Sequence, residues 1–146
     1  MAMHYSKLND KTFLVRLEKG EKVNGSIKRF CESHKVTNAY FLGIGSIENP
    51  VLAHYRVDNR AYKEKPMQGI FEITSLIGTV GMFEGAPLVH SHINISDDEM
   101  RVFGGHLVDT DVSATVELVV KDLESAKTKK HSEEIGLKLF ELDERM

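Results

Sequence analysis

A single cysteine, Cys31, leaves this 146-residue chain without the partner that an internal disulfide needs, and it fits a reducing compartment. Charge of one sign is also missing. The net charge of −3 creates no strong global field to draw the chain to nucleic acid or to an anionic membrane. No apolar run approaches the roughly 20 residues that cross a bilayer, and Met1 to Asp10 lacks an apolar leader core. A cytoplasmic protein with no membrane partner is expected. Linkers, internal repeats and low-complexity segments are absent as well, which implies one domain over 1–146, with a core over about 12–123 and a charged tail over 124–146. Gly43 and Gly45 lack the spacing to a lysine and a following helix that a phosphate loop requires. The acidic run Asp97-Asp98-Glu99 lacks the later alternating ligands of a calcium loop and reads as a turn.

What is present is mostly β pattern. Thr12 to Leu17 is a short strand-like run. Val23, Ile27, Phe30 and Cys31 then recur at helical spacing, which predicts one amphipathic helix between Glu21 and about Lys35, with Cys31 on its apolar face as a small buried hydrophobe. Thr37 to Ile47 reads as a buried strand whose glycines, Gly43 and Gly45, permit a bulge or a close backbone approach. Further strands are expected at 51–57, 61–65, 69–80, 88–95, 100–103 and 112–121. Pro50, Asp58-Asn59, Pro66, Glu84 to Pro87, Asp97-Asp98 and Gly104-Gly105 mark the turns between them. Short connections favour antiparallel pairing. In the tail, Leu137, Leu139 and Phe140 sit among charges and suggest a last edge strand or a short helix, while Lys127-Thr-Lys-Lys130 reads as a solvated charged stretch.

Chemistry concentrates in Leu88-Val-His90-Ser-His92-Ile-Asn-Ile95. On a strand, residues i and i+2 share a face, so His90 and His92 point the same way, about 7 Å apart along the backbone. Val89, Ser91, Ile93 and Ile95 form the opposite, core-facing side. Two imidazoles so placed can converge on one cation if a third donor arrives. His106, after Gly104-Gly105, is the candidate, because the glycines allow a tight turn and a close approach to the preceding strand. Three histidines with a free fourth position suit zinc or another divalent transition metal. The alternative is a pair of surface histidines on an amphipathic strand. His54, on another expected strand, is a lesser candidate ligand. Glu72 is the candidate proton acceptor, against the alternative of a solvent-facing strand acid, and Glu117 is a weaker one. Tyr55 and Tyr62 could donate to a ligand, but core or interface packing is the better reading.

Several stretches, in order, resemble the plants and prokaryotes conserved (PPC) domain family from about Phe13 to Leu123. They are Arg16 to Glu21, Gly43-Ile-Gly45, Gly69 to Leu76 with Gly78, His90-Ser-His92, Gly104-Gly-His106-Leu107 and Thr115 to Val120. The resemblance implies an α+β domain: a large curved, mostly antiparallel sheet with one main helix, similar in fold to acetolactate decarboxylase and a related zinc esterase. Those enzymes likewise use a His-x-His pair and a later histidine. It also implies a homotrimer, and places His90, His92 and His106 where some prokaryotic members resemble a metal site. The family is often labelled DNA-binding, but the AT-hooks of its plant members, basic Arg-Gly-Arg-Pro segments, are missing here, and so is the basic stripe that phosphate contacts need. The family's arginine between Gly69 and Phe71 is Ile70, which weakens the partner contact this region resembles in plant members. Two readings follow. One is a trimeric metal-containing module acting through a small-molecule ligand or a protein partner. The other is a zinc-type metalloenzyme, a hydrolase or decarboxylase of a small carbonyl compound, with Glu72 as base. In either, metal affinity should fall below about pH 6.5, where free imidazole takes up a proton.

Overall fold

Buried residues alternate with exposed ones through Thr12–Glu18, where Phe13, Val15 and Leu17 are buried and Leu14, Arg16 and Glu18 are exposed. This is the signature of a strand with one dry and one wet face. The same period organises most of the molecule. A computed structural model describes residues 3–146; Met1 and Ala2, within the domain expected over 1–146, lie outside the described residues. Its elements are β1 (His4–Lys7), β2 (Thr12–Glu18), α1 (Val23–His34), β3 (Ala39–Arg56), β4 (Ala61–Pro66), β5 (Ile70–Phe83), β6 (Ala86–Ser96), β7 (Val102–Asp122), β8 (Lys129–His131) and β9 (Lys138–Phe140).

Strands β1 to β7 form one antiparallel sheet in the order β1-β2-β7-β6-β5-β3-β4. Strand β7 also pairs with β3, so β3, β5, β6 and β7 close a cycle of pairings and the sheet curves back on itself. The α+β class and the single main helix expected from the sequence are those observed. Helix α1 buries Val23, Ile27, Phe30 and Cys31 against β6 and β7. Each such apolar side chain withdrawn from water contributes on the order of 1.5–3 kcal/mol, which outweighs the weak helix propensity of Gly25. Burial also pushes the Cys31 thiol up to about 12, consistent with an inert core residue.

Four expectations need correction. The strand at Thr37 to Ile47 is buried on one face only; Tyr40, Leu42 and Ile44 are exposed. It also runs on through Pro50 to Arg56 as β3. The proline is tolerated because it sits where the register with β7 shifts between Glu48 and Val51, so its missing N–H interrupts no ladder bond, and its carbonyl accepts from the Met67 N–H at 2.9 Å. Segments 100–103 and 112–121 belong to one long strand, β7, with Gly104 and Gly105 inside it rather than at a turn. Their small size lets β7 lie between two neighbours: a Cβ on Gly105 would stand 3.0 Å from the Ala53 carbonyl oxygen. The tail is a β8–β9 hairpin, and Lys129, expected in a solvated stretch, is 93% buried by the neighbouring β5 and Phe140.

Candidate metal centre

The histidine face follows from register. His92 on β6 pairs directly with His106 on β7, and His90 lies one residue pair along β6 on the same face. Ser91, Ile93 and Ile95 point into the core, as the alternation requires. The ring centroids are 5.1 Å apart for His90–His92, 5.2 Å for His90–His106 and 5.7 Å for His92–His106. One nitrogen from each ring lies within 4.8 Å of the other two. A tetrahedral zinc with bonds of about 2.1 Å would draw such nitrogens to about 3.4 Å, a matter of small side-chain rotations. The three sequence candidates therefore meet around one point.

His106 gives a sharper test of fit. Its ring stacks on Tyr62 at 4.5 Å, and its Nδ1 is buried with no hydrogen-bond partner among the described residues. A buried polar atom without a partner is costly, and a cation within reach would satisfy it. Burial first, then the nearby His90 and His92, holds His106 down at about 4. Burial, then Lys129, then His92 likewise keep His90 below the usual imidazole range. Neutral rings are the form that ligates. The same shift bears on stability: as pH falls from about 6.5 towards about 4, the unfolded chain binds the His106 proton before the folded one does, so folded stability declines through that window.

The remaining candidates lie apart. Glu72 is exposed opposite Ser96, five positions along β5 from the Ile77 that pairs with His92, roughly 16 Å at strand spacing. The chain does not bring it to the histidines. Glu117 faces Arg16 and Ile44 across the sheet, also away from them. His54 is exposed next to Ala53 and outside the cluster. Tyr55 donates to the Ile135 carbonyl, tying the β8–β9 connection to β3, and packs 5.0 Å from Tyr62. Asp97 accepts backbone N–H bonds from Glu99 and Arg101, as its turn reading requires.

A positioning residue escaped the sequence reading. Asn24, in the first turn of α1, donates through Nδ2 to the Leu107 carbonyl at 3.1 Å, and its Oδ1 accepts from the Ser91 hydroxyl at 2.8 Å. Ser91 sits between the two β6 histidines and Leu107 follows the third, so one amide fastens both strands from beneath. The Asp109 carboxylate fixes that helix end by accepting the N–H groups of Asn24 and Gly25 at 3.0 and 3.3 Å. Asn24→Ala is expected to weaken zinc binding by about tenfold or more while His90 and His92 remain in place; unchanged affinity by competitive chelator titration would show that this strut does not position the rings. Nothing in the local sequence links Asn24 to residues more than 60 positions away, which is why it was missed.

On one side the cluster opens into a cleft of about 640 Å³, roofed by the β8–β9 hairpin and lined by His90, His106, Tyr62, Lys129 and apolar residues that include Leu88 and Phe140. On the other side His90 and His92 border a shallower hollow beside Tyr40 and Ile77.

Residues 5–124 match the model of the Plants and Prokaryotes Conserved (PCC) domain. No curated protein matches the chain by sequence. Among solved structures, a plant- and prokaryote-conserved protein from Pyrococcus horikoshii is 32% identical with a TM-score of 0.87, covering 99% of this chain and 97% of that one. A metal-containing protein from Archaeoglobus fulgidus is 28% identical with a TM-score of 0.84, covering 97% and 99%. A Staphylococcus aureus protein similar to α-acetolactate decarboxylase is 18% identical with a TM-score of 0.54, covering 79% of this chain and 53% of that one; this likeness concerns the fold alone.

Proposed function

We propose, from the premise that this chain belongs to the Plants and Prokaryotes Conserved domain family, that it is a metal-dependent binding module in which His90, His92 and His106 hold one zinc or similar divalent ion. The observation that carries this reading is the convergence of three imidazoles around one point, with the buried Nδ1 of His106 left without a protein partner. The metal-containing relative from Archaeoglobus fulgidus supports it. A bound ion would supply Lewis-acid chemistry, polarising a carbonyl or acidifying water. The chain's own residues would orient it: Tyr62 stacks on His106, and Asn24 fixes the strands from beneath. An enzymatic role, as hydrolase or decarboxylase of a small carbonyl compound, asks for a proton acceptor beside the ion, and Glu72 is remote from it within one chain. Ligand binding is therefore the preferred reading.

Assembly belongs to the same proposal. Leu14, Val119, Leu42 and Ile77 form one cross-strand row over β2, β7, β3 and β5; Leu14, Leu42 and Ile77 are exposed, and the row ends at His92, the partner of Ile77. Tyr40 and Ile44 flank it, also exposed. A contiguous apolar face of this kind marks an interaction surface, and copies of the chain in a homotrimer would cover it and wall the open side of the metal centre. Nucleic acid is outside the proposal: the net charge is −3, and Lys127 and Lys129, the most buried of the tail lysines, face Asp143 and Phe140.

One experiment tests both parts. Protein produced with zinc should carry about one ion per chain by elemental analysis and show a light-scattering mass of three chains. Because burial holds His106 and His90 below the ordinary histidine range, protons compete for these two rings only on acidification below about pH 6.5, so the ion should be retained at pH 6.5 and released as the pH is lowered further. Background metal in zinc-supplied protein would end the metal reading, and a monomeric mass the assembly.

A further inference from the structure

Lys129 is anomalous for a lysine. It is 93% buried at the start of β8, its stem lies against Gly81 and its Nζ is 4.5 Å from the centre of the Phe140 ring. Burial alone, with no carboxylate beside it, lowers its ammonium from the usual lysine range. A buried cation without an anion is expensive, and native structures ordinarily pair one. The cleft that Lys129 lines contains no aspartate or glutamate among the described residues, but holds Lys138, His131, His90 and His106 besides. Its remaining walls are mostly apolar, with Leu88, Val89, Leu139 and Phe140 prominent.

We propose that this cleft binds a small organic monocarboxylate with an aliphatic body, its carboxylate held by Lys129 and its body packed against Leu88, Leu139 and Phe140. Charge argues for an anion, since every ionisable group on the walls other than Tyr62 is basic. The apolar walls argue for a ligand that buries hydrocarbon, and the volume of about 640 Å³ is that of a small-molecule site. Lys129 is the one buried ammonium, Lys138 being exposed with its Nζ over the Phe83 ring, and no arginine fork lines the cleft, which suits a monoanion better than a phosphate dianion. The histidine cluster borders the same cleft, so a carboxylate anchored at Lys129 would present the rest of the molecule towards the ion. The inference rests on the reading of this cleft as the ligand site and names the ligand class. Lys129 and the hairpin lie beyond the residues 5–124 that match the family model.

The test uses 4-methylpentanoate and its uncharged counterpart 4-methylpentan-1-ol, titrated by calorimetry or amide NMR into the full chain at neutral pH, both stripped with EDTA and zinc-loaded. The stripped protein is expected to bind the acid at least about tenfold more tightly than the alcohol, and Lys129→Met, which keeps the stem, should remove that preference. This result would stand whether or not zinc binds, so it separates the anion site from the metal reading. Equal binding of acid and alcohol, or no binding of the acid by either form, overturns the proposal. So does acid binding that requires zinc and ignores Lys129→Met, which would assign the carboxylate to the ion. If Lys129→Met fails to fold, as judged by circular dichroism, the acid-to-alcohol ratio in the stripped wild-type chain decides alone.

Discussion

Exchanging both His90 and His92 for alanine is expected to take bound zinc from about one ion per chain to below about a tenth, with the thermal midpoint of the metal-free protein moving by no more than about 3 °C. Both side chains are exposed on the wet face of β6, and neither contributes to the apolar core, so their truncation costs the fold little. His106 would remain, but a single imidazole holds no transition ion against solvent at micromolar concentration. The contrast between metal loss and an undisturbed fold is what identifies a ligand set. Full zinc occupancy in the double variant would place the ion elsewhere and remove the chemistry built on this cluster.

The largest expected effect on stability comes from one hydrogen atom. Gly78→Ala should destabilise the chain by about 3 kcal/mol or more and lower its thermal midpoint by about 10 °C. Gly78 lies on β5 between Phe41 of β3 and Ser91 of β6. A Cβ there would stand 2.5 Å from the His90 carbonyl oxygen and 2.8 Å from Phe41 Cε1. The carbonyl is backbone and the ring is fully buried, so neither can swing away; strands β5 and β6 would have to part beside the histidines. The variant should therefore also bind zinc more weakly. A midpoint within about 2 °C of wild type would show that the sheet accommodates the methyl group and that the glycine is not required for packing.

The parts legible in the sequence were those with a local cause. The helix could be read because Val23, Ile27, Phe30 and Cys31 repeat at its period, and the β6 core face because Ser91, Ile93 and Ile95 alternate with His90, His92 and Asn94. The glycine-rich β3 segment was legible as a place of irregularity: Gly45 has φ +154° at the register shift, and a Cβ there would collide with the Thr115 carbonyl. Punctuation misled wherever a proline or glycine pair lay inside a strand. Gly104-Gly105 permits close packing between β6 and β3 with no change of direction, and pattern alone cannot distinguish that from a turn. The tail misled for a different reason. Lys129 carries a charge that composition places in water, but its Cε lies beside Gly81 and its Nζ over the Phe140 ring.

Sequence by itself settled which side chains share a face, because strand and helix periods are properties of the backbone and need no partner. It therefore determined that His90 and His92 look the same way, and that the chain buries one helix against a large sheet. Tertiary structure alone decided which distant segments meet: His106 across from His92, Asn24 beneath both strands, Lys129 over the cleft and Glu72 far along β5. Those juxtapositions depend on strand register and on sheet closure, which the whole set of pairings fixes together and no single stretch of residues encodes.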